Sequence, residues 1–184
     1  MSEAVKENLE KFTQQYMRQF KTLHGTLPLI EHDPHFSSPC EVEKVNAEGL
    51  IHWQPVAKPH NAKFADFKSA LNIDLHPSII AFYSTQYCNN IPATYEENWL
   101  ELLQPWSEDD DQNLQQNLLA HAMMKQKLKQ PLTFFIAVTD DDSLMISILN
   151  ETGEVVLEPV GKPHSKVLAN NLADFIAKLD PIVI

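Results

Sequence analysis

Apolar side chains recur at helical spacing near both ends of the chain. Near the start they stand three or four positions apart, which predicts an amphipathic helix over residues 2–24, beginning at Ser2 and ending at Gly25. Its inward positions are Val5, Leu9, Phe12, Tyr16, Phe20 and Leu23. The same spacing predicts a last helix, capped by Ser165. Its inward positions are Leu168, Leu172, Phe175, Ile176 and Leu179.

Short apolar runs bounded by turn residues predict antiparallel strands between these helices. The predicted strands are residues 41–45, 50–54, 93–96, 99–103, 133–139, 144–149 and 155–160. The last three form a meander with turns at 140–142 and 151–154. Residues 25–40, which contain three prolines, and the polar residues 56–63 are expected to be loops.

Three further helices are predicted inside the chain. One covers residues 64–71, and one opens at His76-Pro77-Ser78. The third runs from Ser107 to about Lys129, with Ser107 as N-cap and Asp110 three residues on, a variant of the capping box. The predicted inner face of this third helix is Leu114, Leu118 and Ala122. Lys125, Lys127 and Lys129 stand at its C-terminal end, as the helix dipole prefers.

These elements indicate an α+β fold, with a mainly antiparallel sheet flanked by helices that include the N- and C-terminal ones. The chain has 184 residues, so a single domain over residues 1–184 is expected. The longest apolar-rich run, residues 132–138, is far shorter than the roughly 20 residues of a membrane span. The N-terminus reads as no signal peptide, and the two cysteines, Cys40 and Cys88, suggest reduced thiols in the cytosol.

Composition excludes several classes of protein. The chain has four glycines, and the closest two, Gly153 and Gly161, stand eight positions apart. Standard dinucleotide fingerprints, Walker A loops and nucleophile elbows need closer glycines, so all three are excluded. The net charge is −11 and Arg18 is the one arginine, which argues against nucleic acid and against direct binding to anionic lipid. A basic partner fits this charge better.

Acidic residues are concentrated in one part of the chain. Residues 69–124 contain no lysine or arginine, yet they contribute −8 of the −11 net charge. The acids in this segment are Asp74, Glu96, Glu97, Glu101, Glu108, Asp109, Asp110 and Asp111. Two interpretations remain open: a solvated acidic face that partly complements a helix dipole, or a functional electronegative surface.

The spacing of these acids predicts where they lie. Glu97 and Glu101 are expected on one side of a strand or of its approach, because strand side chains alternate with period two. The acids of residues 108–111 fill the first turn of the next helix. Both groups flank the corner at residues 104–106, where Trp106 can contact a basic side chain or belong to the core.

Other candidate sites carry weaker signals. His32, Asp33 and His35 could ligate a metal, but they lack further ligands, and the acids at 109–111 lack the spacing of a calcium loop. Cys40 with His52 could act as nucleophile and base, although no signature supports the pair. Structural roles are the simpler interpretation, and no cofactor is expected.

Several blocks in order along the chain resemble the Syd family of bacterial SecY-interacting proteins. The most specific is Leu102-Leu103-Gln104-Pro105-Trp106-Ser107-Glu108-Asp109-Asp110. The others are Ser38-Pro39-Cys40, Trp53-Gln54-Pro55, Phe82-Tyr83-Ser84-Thr85-Gln86, Gln116-Asn117-Leu118-Leu119-Ala120-His121, and residues 133–137 and 168–175. They cover most of the chain from about residue 38, and the N-terminal helix matches in pattern.

The resemblance implies an α+β fold of the SUKH superfamily and a non-enzymatic role. Such a protein binds SecY, the channel subunit of the preprotein translocase, from the cytosolic side through an electronegative concave surface, and regulates or proofreads the SecY complex. It implies a cytoplasmic protein held at the inner membrane by SecY and not by lipid. Cytosolic loops of inner-membrane proteins are rich in Lys and Arg, so an acidic surface suits them, and salt should weaken binding.

The residues expected to face the partner are Glu97, Glu101, Trp106, Glu108, Asp109 and Asp110. Two alternatives remain. One is a toxin-neutralising immunity protein of the same fold, with an acidic surface against a basic toxin domain. The other is a small hydrolase that uses Cys40 or a metal. The sequence leaves the oligomeric state, the SecY loop and the effect on SecY open.

Overall fold

Helices border a curled antiparallel sheet in the computed structural model, which describes residues 2–59 and 64–184. The helices are α1 (Ser2–His24), α2 (Ala65–Leu71), α3 (Pro77–Ser84), α4 (Glu108–Lys127) and α5 (Leu172–Ala177). The strands are β1 (Leu29–Glu31), β2 (Glu41–Val42), β3 (Leu50–Trp53), β4 (Val56–Ala57), β5 (Gln86–Tyr87), β6 (Ile91–Tyr95), β7 (Asn98–Leu102), β8 (Thr133–Thr139), β9 (Leu144–Leu149), β10 (Val155–Pro159), β11 (Lys166–Ala169) and β12 (Asp180–Pro181). The α+β prediction is confirmed.

The first helix forms over the predicted residues, but Leu23, predicted to face inward, is 64% exposed because the last turn of the helix extends beyond the core. Val5, Leu9 and Phe12 are buried, and the helix packs against α3 and α5. Gly25 ends it with a φ of +74°, and the Gly25 N–H donates to the Lys21 carbonyl at 2.9 Å. A left-handed residue at this position favours glycine, because a Cβ costs energy there.

Seven strands form the main sheet, in the order β11-β10-β9-β8-β7-β6-β12. All neighbouring strands are antiparallel, so directly paired residues lie on the same face. Pairing across β6 to β10 aligns one row of five residues on one face: Pro92, Glu101, Val138, Met145 and Glu158. The next row, with Ile91, Leu102, Ala137, Ile146 and Leu157, lies on the opposite face, which contributes to the core.

The two faces of this sheet are covered differently. On the core face, the ring of Tyr95 packs against Phe175 of α5 with 4.6 Å between centroids. On the face that carries Glu101, α4 contacts β8 and fastens to β10 through Lys125 and Glu158. Helix α4 therefore covers part of this face, from β8 to β10. Val138, near the end of β8, is not covered and remains 40% exposed.

The C-terminal region differs from the prediction. No helix begins at Ser165, because residues 166–169 form β11, which pairs with β10 at the edge of the sheet. The last helix begins later, where the Asn171 side chain accepts a hydrogen bond from the Asp174 N–H at 2.9 Å. The tertiary pairing of β11 overrides the helical spacing that Leu168 suggests.

Two predicted loops also contain strands. Residues 29–31 pair with β3, and residues 56–57 pair with β5. The rest of the predicted loop at 56–63 includes residues 60–63, which lie outside the described part of the chain. The hairpin predicted at 41–45 and 50–54 forms with a shorter first strand.

Candidate functional site

The sheet separates Glu97 from Glu101. Tyr95 pairs with Asn98, so Glu96 and Glu97 form a two-residue turn, with φ of 48° and 69°. Glu101 lies four residues along the chain, about 13 Å away at the rise of a strand. Glu97 therefore lies in the turn that leads into β7 and Glu101 in the strand itself, so the alternation of strand side chains does not apply to Glu97.

Glu101 is half-buried on the open face of the sheet. Its neighbours in register are Pro92 on β6 and the exposed Val138 on β8. The Asn90 amide donates to the Glu101 carboxylate at 3.1 Å and accepts from the Gln104 N–H at 2.9 Å. Asn90 therefore holds the Glu101 carboxylate beside the segment that leads into α4.

The four acids in the first turn of α4 have three different environments. Glu108 and Asp109 are exposed. The Asp110 carboxylate accepts from the Trp106 N–H at 2.8 Å, while the Asp110 N–H donates to the Ser107 hydroxyl at 3.2 Å. The Ser107 half of the predicted capping box is confirmed, whereas the Asp110 carboxylate bonds to the N–H of the residue before the N-cap and not to that of Ser107. Asp110 therefore has a structural function at the start of the helix.

Asp111 is buried and its charge is paired. The Lys58 ammonium lies 2.8 Å from the Asp111 carboxylate and also donates to the Tyr83 carbonyl at 2.8 Å. Burial lowers the pKa of Lys58, whereas the carboxylate of Asp111 opposes that shift. Residues 69–124, which contain no lysine or arginine, are called the base-free segment. Lys58 lies outside this segment and neutralises Asp111, one of its acids. We exclude Asp111 from the candidate site.

Trp106 is half-buried at the edge of the core. Its ring meets Trp53 edge to face, with 6.1 Å between centroids, and its carbonyl accepts a hydrogen bond from the Ser38 hydroxyl. Trp53 in turn stacks with Tyr16 of α1 at 6.2 Å. Trp106 therefore anchors the turn before α4, and its part-exposed surface remains available for contact.

We use the name α4 acidic surface for Glu101, Glu108 and Asp109, which flank the segment 103–107. The remaining predicted partner-facing residues have other positions. Asp110 and Trp106 support the same segment from within, and Glu97 lies at the opposite end of β7. The acids of the base-free segment are therefore divided between two ends of the sheet.

A second acidic group was missed from the sequence. Because β7 and β8 are antiparallel, the turn before β7 and the turn after β8 lie at the same end of the sheet. We call the exposed acids of these two turns the hairpin-tip acids: Glu96, Glu97, Asp140, Asp141 and Asp142. The acidic turn at 140–142 was visible as a signal, but only strand pairing places it beside Glu96.

The hydrolase alternative gains no support from Cys40 or from the histidines. Cys40 is fully buried, and burial raises the pKa of its thiol to about 11, so it is protonated at neutral pH. His52 bonds to Thr26 and Glu43 instead, and His32 pairs with Glu41 at 2.9 Å. Within residues 2–59 and 64–184, no group of three or more His, Cys, Asp or Glu side chains could hold a metal ion.

None of the helices among the described residues is both long enough and apolar enough to cross a bilayer.

The chain is similar to known proteins along nearly its whole length. The family described as Syd protein (SUKH-2) matches residues 6–181. Protein Syd of Psychromonas ingrahamii is 39% identical over 184 residues, which is all of both chains. Protein Syd of Aliivibrio salmonicida is 42% identical over 180 residues, 98% of each chain. Protein Syd of Pseudoalteromonas atlantica is 37% identical over 183 residues, again 98% of each chain.

Proposed function

Because the chain belongs to the Syd family, we propose that it binds the basic cytosolic loops of SecY through the α4 acidic surface. In this proposal the protein acts by binding alone, without a catalytic step. It stays in the cytoplasm, is held at the inner membrane by SecY, and regulates or proofreads the SecY complex.

One observation carries the proposal. Among the described residues, no basic side chain forms an ion pair with Glu101, Glu108 or Asp109. They belong to a stretch of 56 residues without lysine or arginine. A protein that needed only solubility would disperse basic residues among its acids. Glu101 also has the exposed Val138 as its neighbour in register, so this surface suits a partner with lysines, arginines and some apolar surface.

The charge also determines what the protein should avoid. An anionic surface is repelled by anionic lipid and by nucleic acid, so contact with the membrane requires a protein receptor. Cytosolic loops of membrane proteins carry excess Lys and Arg, which makes them suitable receptors. Attraction between exposed charges is screened over about 8 Å at physiological ionic strength, so binding should weaken as salt rises.

The test measures binding of the purified protein to vesicles that contain SecY, across a salt titration, beside SecY-free vesicles of the same lipid composition. We expect binding to the SecY vesicles only, with affinity falling as salt increases. Equal binding to both kinds of vesicle, or none to SecY vesicles at low salt, would contradict the proposal.

A matched pair of variants then locates the surface. Glu108→Gln/Asp109→Asn removes two exposed acids and leaves the Asp110 cap in place. Glu7→Gln/Glu10→Gln removes two exposed acids from α1 and changes the net charge equally. The first variant should lose about three- to tenfold in affinity for SecY vesicles at low salt, and the second little. Equal losses would indicate that net charge alone matters.

A further inference from the structure

A cavity of about 160 Å³ opens at the end of the sheet that carries the hairpin-tip acids. Its walls include Leu100 of β7 and the paired residues Ile146 of β9 and Leu157 of β10, all on the core face of the sheet. Leu144 and Leu168, both half-buried, also line it. Trp99, two residues before Glu101 on β7, also lines it, but Glu101, Glu108 and Asp109 do not, so the cavity is separate from the α4 acidic surface.

The cavity has a fixed wall. The Tyr95 hydroxyl of β6 donates to the Leu168 carbonyl of β11 at 2.8 Å, which joins two strands near opposite edges of the curled sheet. The Tyr95 ring is also packed against Phe175. The space is therefore held open by bonded and packed groups on one side, and a ligand would meet a preformed surface.

The rim of the cavity is acidic. Glu96 and Asp140 line it, and both belong to the hairpin-tip acids. Lys166 is the one base among its lining residues. Five exposed acids next to one lysine favour a ligand that carries several positive charges around an apolar group.

The volume limits the class of ligand. Pockets for cofactors and drug-sized molecules usually measure about 300–1,000 Å³, well above this cavity. A space of about 150 Å³ lined by aliphatic side chains holds a group the size of benzene. Five aliphatic side chains and Trp99 form the apolar part of this cavity, which has the size for one leucine side chain and is too small for a nucleotide or a cofactor.

We infer that the cavity receives one aliphatic side chain of a protein partner, from a segment whose flanking lysines or arginines contact the hairpin-tip acids. The inference rests on the proposed function, since it assigns a second contact to the same basic partner. It predicts that recognition depends on an apolar residue within the basic segment as well as on charge.

Two synthetic peptides test the inference with the full chain. One has a leucine between two runs of three lysines, and the other has alanine in place of the leucine. Calorimetry at low ionic strength should show about tenfold tighter binding of the leucine peptide, from burial of its side chain. Affinities within twofold of each other would overturn the inference.

A cavity-filling variant locates the contact. Leu144→Phe places a larger side chain at the cavity wall and should reduce the affinity for the leucine peptide to that for the alanine peptide. Val167→Phe is the control, because Val167 is exposed, does not line the cavity, and precedes Leu168 on β11. A leucine preference that survives in Leu144→Phe would contradict the assignment.

A measurement without substitutions covers the case that Leu144→Phe does not fold. In NMR spectra of the wild-type chain with methyl-labelled leucines, the leucine peptide should change the chemical shifts of cavity-lining methyl groups, and the alanine peptide should not. The residues concerned are Leu100, Leu144, Leu157 and Leu168. Equal shifts with both peptides would overturn the inference. The vesicle assay is independent: SecY binding without a leucine preference rejects the cavity alone, and failure of SecY binding rejects the proposed function.

Discussion

Lys125 of α4 and Glu158 of β10 form an ion pair in which neither side chain is exposed to solvent. The Lys125 ammonium lies 2.9 Å from the Glu158 carboxylate and also donates to the Lys162 carbonyl at 2.8 Å. His121 Nε2 lies 3.3 Å from the same carboxylate. These contacts join the C-terminal half of α4 to the sheet, on the same face as Glu101, which lies three strands away in the same row.

Replacing Lys125 should strongly destabilise the fold. Lys125→Met leaves the Glu158 carboxylate buried without its main partner, which typically costs about 3–5 kcal/mol. Urea unfolding measures the change, with the exposed Lys127→Met as the matched control. The double variant Lys125→Met/Glu158→Leu should be more stable than Lys125→Met alone, because the carboxylate is then also absent. A loss below about 1 kcal/mol for Lys125→Met would show that water reaches the pair.

Glu158 should also contribute to acid sensitivity. Burial acts to raise the pKa of Glu158, but the nearby polar groups of His121, Thr133 and Lys125 outweigh it and hold the pKa below the ordinary 4.5. A depressed carboxyl pKa in the folded state gives stability that is present above the unfolded pKa. It is lost as pH falls through the folded value.

We therefore expect the free energy of unfolding to decrease below about pH 4.5, and to decrease less steeply in Glu158→Gln. Chemical unfolding at a series of pH values from neutral to acid measures both curves. Parallel curves for the two proteins would mean that other groups cause the acid sensitivity.

The two adjacent acids at the start of α4 should differ in their effect on stability. Asp110→Ala removes the acceptor of the Trp106 N–H and should cost about 1 kcal/mol. Asp109→Ala removes an exposed side chain and should change stability by less than about 0.5 kcal/mol. Thermal unfolding compares them directly. Equal losses would indicate a dipole effect of both charges and not a specific cap.

The turn between β6 and β7 should be easy to stabilise. Glu96 and Glu97 both have left-handed φ, which is costly for side chains with a Cβ, whereas Asn-Gly is the preferred pair for this kind of hairpin turn. Glu96→Asn/Glu97→Gly should therefore gain about 1–2 kcal/mol, or about 2–8 °C in Tm. Scanning calorimetry measures the shift. An unchanged or lower Tm would show that the glutamates have local contacts that offset their strain.

Local signals in the sequence were enough to predict several helices and strands. Helix α1 follows from its apolar stripe, and the start of α4 follows from Ser107 and Asp110, because capping acts over three residues. The hairpin of β8 and β9 also forms over the predicted residues. The family resemblance, drawn from ordered sequence blocks, is confirmed by the relatives.

Positions that depend on long-range packing were predicted less well. Lys125 follows Leu118 and Ala122 at helical spacing, so its inward position was visible, but its charge suggested the surface. The true start of α5 had a signal in Asn171, followed three residues later by Asp174. The division of the acids between the α4 acidic surface and the hairpin tips follows from strand pairing, which no single segment encodes. The roles of Glu97, Glu101, Glu108 and Asp109 in binding stay predictions.

The packing of the first helix against the last has a consequence for biosynthesis. The Asn8 amide of α1 donates to the Ala173 carbonyl of α5 at 2.9 Å, across 165 positions of sequence. At about 5–20 residues per second, a ribosome makes α5 roughly ten to thirty seconds after α1. Throughout that interval the apolar stripe of α1 lacks its contacts with α5. The fold then closes late, in a step that joins the oldest and the newest parts of the chain.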